Sequence, residues 1–364
     1  MKIGILTFHR AENFGAVLQV YALQRFLQEK GHEVQVIDYR NRHIEAMYHI
    51  FNPYVLFLRK NIFKSLIAYL SRFRNVGGRK QCKRKYEHFR NEYLKISGRC
   101  KNVADVADFY DCIIAGSDQI WNLHLTGGLD PNYFLAYKKG EGKKKIAYAA
   151  SSETDPKGLI SCHRDEIGRC LDDFDFLSVR EEILRDELSA CTENEIKVCL
   201  DPTFLLKADD YKRMAGSGGN GRYVLVYHMT PIPEEAALAE RIAADNGLDI
   251  VEIHMGYGGT CDRRHKFNLG PFEILGYIVH ADTVITSSFH GLALSLIMKK
   301  NVWVIDKGNN TRQRNLLSLL HLDDRFLRSI DEFKDKDIDY SVAGELLERH
   351  IAESADFICN ALDD

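Results

Sequence analysis

Two serines, a histidine and a glycine fall together in Ser287-Ser288-Phe289-His290-Gly291, a grouping suited to binding an anion. The serine hydroxyls can donate hydrogen bonds, the glycine lets a ligand approach the backbone, and a histidine can carry a proton near neutral pH. Thr283-Val284-Ile285 ahead of the group reads as a buried parallel strand, and the apolar run 292–298 behind it favours a helix. A strand-turn-helix junction of this kind presents unpaired N–H groups and the positive end of a helix dipole. The same residues also fit a plainer role, with Ser287 or Ser288 capping the helix and His290 simply hydrogen-bonded.

Further polar residues stand where apolar runs end. Asn13 and Gly15 lie in the loop 9–15 after a first strand at 3–8. Asp118 follows the run Asp111-Cys112-Ile113-Ile114-Ala115-Gly116, and Arg180 ends the strand-like 174–179. In parallel α/β sheets, ligands bind at the carboxyl ends of strands, so each position is open to a ligand role. The alternatives are an N-cap for Ser117 or Asp118, with Trp121 packed behind, and for Arg180 an ion-paired helix start beside Glu181 and Glu182.

The elements that must hold these residues alternate strand and helix. A helix over 16–30 with buried Val17, Tyr21, Leu23, Phe26 and Leu27, stopped by Gly31, links the first strand to a second at 33–38, a βαβ unit. Its loop lacks a dinucleotide-binding glycine pattern, which argues against NAD. Further strands are expected at 145–149, 223–227, 249–253 and 301–305, and helices at 234–246 and 341–362. Asp201-Pro202-Thr203 and the glycine-rich 217–221 bracket a change of domain. The expected division is an N-terminal domain at 1–206 with an insert at about 43–101, a C-terminal domain at 207–340, and a terminal helix at 341–364 returning to the first.

A length of 364 residues accommodates two cores, and 45% hydrophobic with 28% charged residues is ordinary for a globular protein. The formal net charge of -3 makes nucleic acid a poor partner. Nine scattered cysteines without a C-x-x-C pair read as reduced thiols of a cytoplasmic protein, not as a metal site or a disulfide framework. No signal peptide or bilayer-spanning run is read. The charge is uneven, since 59–101 holds 14 Lys and Arg against 2 Glu, interleaved with apolar residues. That pattern reads either as a solvated helical excursion or as basic amphipathic helices attracted to an anionic membrane or a phosphate-bearing acceptor.

Taken in order, Asn13-Phe14-Gly15-Ala16, Ala115-Gly116-Ser117-Asp118-Gln119-Ile120-Trp121, Ser178-Val179-Arg180-Glu181, Asp201-Pro202-Thr203 and Ser287-Ser288-Phe289-His290-Gly291 resemble the polysaccharide pyruvyl transferase family. The resemblance implies a GT-B-like α/β fold of two Rossmann-like domains with parallel sheets and a cleft between them. It also implies transfer of a pyruvyl group from phosphoenolpyruvate to a sugar as a cyclic ketal, with the residues at Arg180 and His290 contacting the donor. Many members carry arginine two residues before the histidine, where this chain has Ser288. Losing a bidentate cation there weakens phosphate binding unless another cation approaches, and Arg312 is the substitute put forward against the alternative of a surface arginine.

On this reading His290 is the acid or a phosphate ligand, and Ser287, Ser288 and Gly291 cradle the phosphate. Arg180 clamps the carboxylate, Asn13, Gly15 and Asp118 face the acceptor, and no metal or organic cofactor is required. The acceptor is a sugar or a lipid-linked oligosaccharide, and the location is cytoplasmic, at the inner face of the membrane. Two other classes stay open: a glycosyltransferase with a nucleotide-sugar donor, and a non-catalytic glycan- or phospholigand-binding protein.

Overall fold

The computed structural model describes residues 1–48, 75–152, 156–255, 261–308 and 310–363. Among these, 1–48, 90–205 and 350–363 form one compact unit, and 75–89 with 206–349 form a second. The apolar residues at 54–70, in and just ahead of the basic stretch, lie outside the described residues.

The first unit is built on seven strands: β1 (Lys2–Leu6), β2 (Glu33–Tyr39), β3 (Ile96–Cys100), β4 (Cys112–Ala115), β5 (Lys144–Ala150), β6 (Phe176–Val179) and β7 (Ile196–Val198). They form one parallel sheet in the order β3-β2-β1-β4-β5-β6-β7. Ile3, Ile5, Ile113 and Ile114 are buried in adjoining strands, as expected where helices cover both faces. The helix Phe14–Glu29 begins two residues before its expected start because the Asn13 side chain caps it, accepting from the Ala16 N–H at 3.2 Å. It is buried on nearly every side, Tyr21 being the least enclosed of the five residues in its predicted stripe.

The second unit repeats the plan with β8 (Tyr223–His228), β9 (Asp249–His254), β10 (His265–Lys266), β11 (Thr283–Thr286), β12 (Asn301–Ile305) and β13 (Phe326–Leu327). These strands are parallel in the order β10-β9-β8-β11-β12-β13. Numbered within its own unit, each sheet contains the order 3-2-1-4-5-6, the doubly wound Rossmann arrangement. Its direction reverses between β1 and β4 in the first unit and between β8 and β11 in the second. Loops leaving the carboxyl ends of those four strands border the places where such sheets bind ligands.

The basic stretch departs from the purely helical reading. Its helix Val76–Tyr93 is followed by β3, whose residues alternate poorly and lie at a sheet edge, so no apolar run marks the strand. Residues 75–89 also belong to the second unit, whereas the sequence assigns the whole insert to the first domain. The cause is the buried stripe Cys82, Tyr86 and Phe89, in which the Phe89 ring lies 5.4 Å from Phe272 and Lys85 pairs with Glu273. In the helix Tyr340–Asp363, the Ser354 hydroxyl accepts from the Leu200 N–H at 2.9 Å and Lys144 donates to the Leu362 carbonyl at 2.9 Å. No helix among the described residues is long and apolar enough to cross a membrane.

Candidate functional site

In the second unit β11 runs into the helix Phe289–Ile297 through Ser287 and Ser288, beside the reversal of the sheet. Ser288 is the N-cap: its hydroxyl accepts from the Gly291 N–H at 3.2 Å, and its own N–H donates to Thr286 Oγ1 at 3.0 Å. A Cβ on Gly291 would stand 2.5 Å from Thr286 Oγ1 and 2.8 Å from Tyr227 Cδ1, so glycine is needed there for packing against β8 and β11. Ser288 and Gly291 thus have structural duties that shape the turn. His290, in the first turn, is buried, with its ring edge-to-face on Phe289 at 5.3 Å.

Ser287 sits differently. Its hydroxyl accepts from Lys307 Nζ at 3.1 Å and from the Met229 N–H at 3.4 Å, and its carbonyl accepts from Gln313 Nε2 at 2.7 Å. Lys307 follows β12 and is held from behind by Glu235, whose Oε1 lies 3.2 Å from the ammonium and whose Oε2 lies 3.1 Å from His228 Nδ1. Glu235 is fully buried. Arg312 instead lays its guanidinium over the Phe289 ring at 5.2 Å, in the helix Thr311–Leu319. The cation at the serine is therefore Lys307, which motif reading passed over. Its only sequence signal is its place just after a buried strand.

In the first unit, Asn13 is the cap already described and Gly15 is buried in the first helical turn. Asp118 follows β4 with φ of 78°, accepts the Gln119 N–H on its carboxylate at 2.8 Å, and accepts the Ser151 N–H on its carbonyl at 3.1 Å. This left-handed turn places Trp121 behind it, stacked on Phe134 at 5.0 Å, with Nε1 donating to the Tyr133 carbonyl. Arg180, at the end of β6, pairs through Nη2 with Asp201 Oδ2 at 2.6 Å and with the Ser117 hydroxyl. Asp201 Oδ1 takes the N–H and hydroxyl of Thr203 at 2.8 and 2.7 Å. The carboxylate opposite Arg180 is thus Asp201, while Glu181 accepts the Ser151 hydroxyl at 2.6 Å. Three separate motifs of the sequence meet at this one ion pair.

The loop after β1 is anchored by Asp38, which is buried at the end of β2. It accepts from His9 Nε2 at 3.0 Å and from both Arg10 and Arg40 at 2.8 Å. Burial would raise the Asp38 pKa, but hydrogen bonds from His9, Arg40 and Arg10 win and hold the carboxyl far below its ordinary range. A further polar group, Glu252, His254 and His265, lies at the carboxyl side of β9 and on β10.

The family model described as polysaccharide pyruvyl transferase matches residues 13–309. No curated protein matches the sequence significantly. Among solved structures, the Neisseria meningitidis UDP-GlcNAc 2-epimerase bound to UDP-GlcNAc aligns over 100% of this chain and 99% of its own at 9% identity, with a TM-score of 0.51. A putative UDP-N-acetylglucosamine 2-epimerase from Listeria monocytogenes aligns over 99% and 90% at 13% identity, with a TM-score of 0.50. At these identities the likeness is one of fold, two Rossmann-like parallel sheets.

Proposed function

This chain belongs to the polysaccharide pyruvyl transferase family, and from that premise we propose that it transfers a pyruvyl group from phosphoenolpyruvate to two hydroxyls of one sugar, releasing phosphate. The sugar belongs to a polysaccharide or its lipid-linked precursor. The observation that carries the donor assignment is Lys307 Nζ at 3.1 Å from Ser287 Oγ, beside a helix start that bears His290. An ammonium, a hydroxyl and first-turn N–H groups are together what a phosphate needs. Lys307 then supplies the charge missing at Ser288.

In the reaction the methylene carbon of the donor takes a proton and becomes a methyl group, leaving a cationic centre at carbon two. One sugar hydroxyl attacks that carbon and gives up its proton. The bond from carbon two to the phosphate oxygen breaks, and the second hydroxyl, losing its proton in turn, closes the ketal. His290 gives the proton or steadies the departing phosphate, and Lys307 with Ser287 balances the growing charge on the phosphate oxygens. None of these steps calls for a metal or an organic cofactor. Arg180 keeps its proposed role towards the donor carboxylate, with its Nη2 edge already committed to Asp201 and Ser117. Asn13, Gly15 and Asp118 are proposed to face the acceptor.

The scattered spacing of the nine cysteines supports a cytoplasmic setting, and the charge excess of 59–101 supports attraction to the inner membrane surface. The deciding experiment measures phosphate release from phosphoenolpyruvate across a panel of acceptor sugars, alongside thermal shifts with phosphoenolpyruvate and with UDP. Phosphate release that depends on the acceptor is the expected result. Stabilisation by UDP alone would favour a nucleotide-sugar donor, and ligand binding without turnover a non-catalytic role.

A further inference from the structure

Glu252 and His254 are two residues apart on β9 and so project from the same face of the sheet. His265 on β10 is in register with Glu252, which brings a second imidazole onto that face. His254 Nε2 and His265 Nδ1 lie 2.9 Å apart, and Glu252 Oε2 is 3.8 Å from the first and 3.7 Å from the second. Three atoms with these separations can sit about 2.0–2.1 Å from a common centre, the bond length of nitrogen and oxygen ligands to zinc.

We propose that Glu252, His254 and His265 bind one divalent transition-metal ion of the zinc class. Two imidazoles and one carboxylate form a borderline-soft donor set that suits zinc over magnesium or calcium, and three protein ligands leave a coordination position open. The surroundings fix two of the three donors. Arg264 holds the other carboxylate oxygen, with Nε 2.6 Å from Glu252 Oε1, which leaves Oε2 turned to the histidines. The His254 ring stacks on Phe267 at 4.5 Å with an interplanar angle of 11°. Glu252 is buried, whereas the His265 side chain is 39% exposed, which gives an ion access from solvent. Binding requires a lone pair from each facing nitrogen, so the hydrogen between them moves to the far nitrogen of its ring. The ion would fasten the two-residue edge strand β10 to β9, and it is independent of pyruvyl transfer.

The test is equilibrium dialysis of the full chain against Zn2+ and visible spectroscopy with Co2+. About one equivalent of bound Zn2+ is expected, with Co2+ showing the d–d bands of a low-coordinate nitrogen and oxygen site. Removal of an outer-shell partner alone costs 10- to 100-fold, so His265→Ala and His254→Ala should each weaken Zn2+ binding by about 100-fold or more. Circular dichroism should be unchanged in His265→Ala, because that residue is the most exposed of the three. Failure to retain Zn2+ in the folded wild-type chain overturns the proposal. So does Zn2+ affinity unaltered in both variants, or a Co2+–thiolate charge-transfer band, either of which would place the ion elsewhere.

Discussion

The guanidinium of Arg180 and the carboxylate of Asp201 form a 2.6 Å ion pair in which both side chains are almost wholly withdrawn from solvent. Removing one partner strands a buried charge, so Arg180→Ala and Asp201→Asn should each cost about 3–5 kcal/mol of stability. Chemical denaturation measures this directly. Wild-type stability in Arg180→Ala together with lost phosphoenolpyruvate affinity would instead make Arg180 a donor clamp and nothing more.

For Lys307, replacement by Met in the background of Glu235→Gln removes both charges of the 3.2 Å pair and avoids stranding the buried carboxylate. Phosphoenolpyruvate affinity should fall about 10- to 100-fold, the worth of one charge-assisted hydrogen bond. Calorimetry showing unchanged affinity would reduce Lys307 to a counter-ion of Glu235.

His290→Gln keeps a hydrogen-bonding side chain but cannot carry the proton. If His290 is the acid, turnover drops by about 100-fold or more with donor binding intact, and the corresponding limb disappears from the pH profile. If it holds phosphate, binding suffers first. Full turnover in both His290→Gln and His290→Ala would take the residue out of the chemistry and discredit pyruvyl transfer through this turn.

The Asp38 cluster sets an acid limit. Its folded carboxyl titrates far below the unfolded value of about 4, so its stabilisation is complete above roughly pH 5 and is lost progressively as the pH falls. His9 acts in the same direction. Burial lowers its pKa, so below about pH 6.5 the unfolded chain takes up the proton first. Melting temperatures from pH 7 to pH 3 should therefore fall more steeply for the wild type than for Asp38→Asn. The variant should be less stable at pH 7 by about 3 kcal/mol. Parallel curves would show that Asp38 is not the group responsible.

The basic stretch should bind anionic liposomes at low ionic strength and release them as salt is added, at about 1 kcal/mol for each cation near the surface. The apolar stripe of Val76–Tyr93 is already spent on Phe272, so that helix can offer only charge. Equal binding to neutral and anionic vesicles would end the membrane proposal.

Much of the architecture was legible in the residues alone, because a buried parallel strand must be an apolar run and a covering helix must carry an apolar stripe. Asn301–Ile305 was expected at its observed bounds, and β8, β9 and β11 to within about a residue. The turn from Ser287 to Gly291 was equally readable as a strand-to-helix junction. The edge strands β3, β7, β10 and β13 were not, since short, half-covered strands need no apolar run. Tertiary structure alone decided the pairings. Lys307 reaches Ser287 because β12 lies beside β11, Arg180 meets Asp201 across the ends of β6 and β7, and His265 joins Glu252 and His254 through the register of an edge strand. Periodicity encodes which face a residue takes within its own element. Which elements become neighbours is a property of the whole sheet, set by how the crossover connections place each strand, and no local run of residues carries that information.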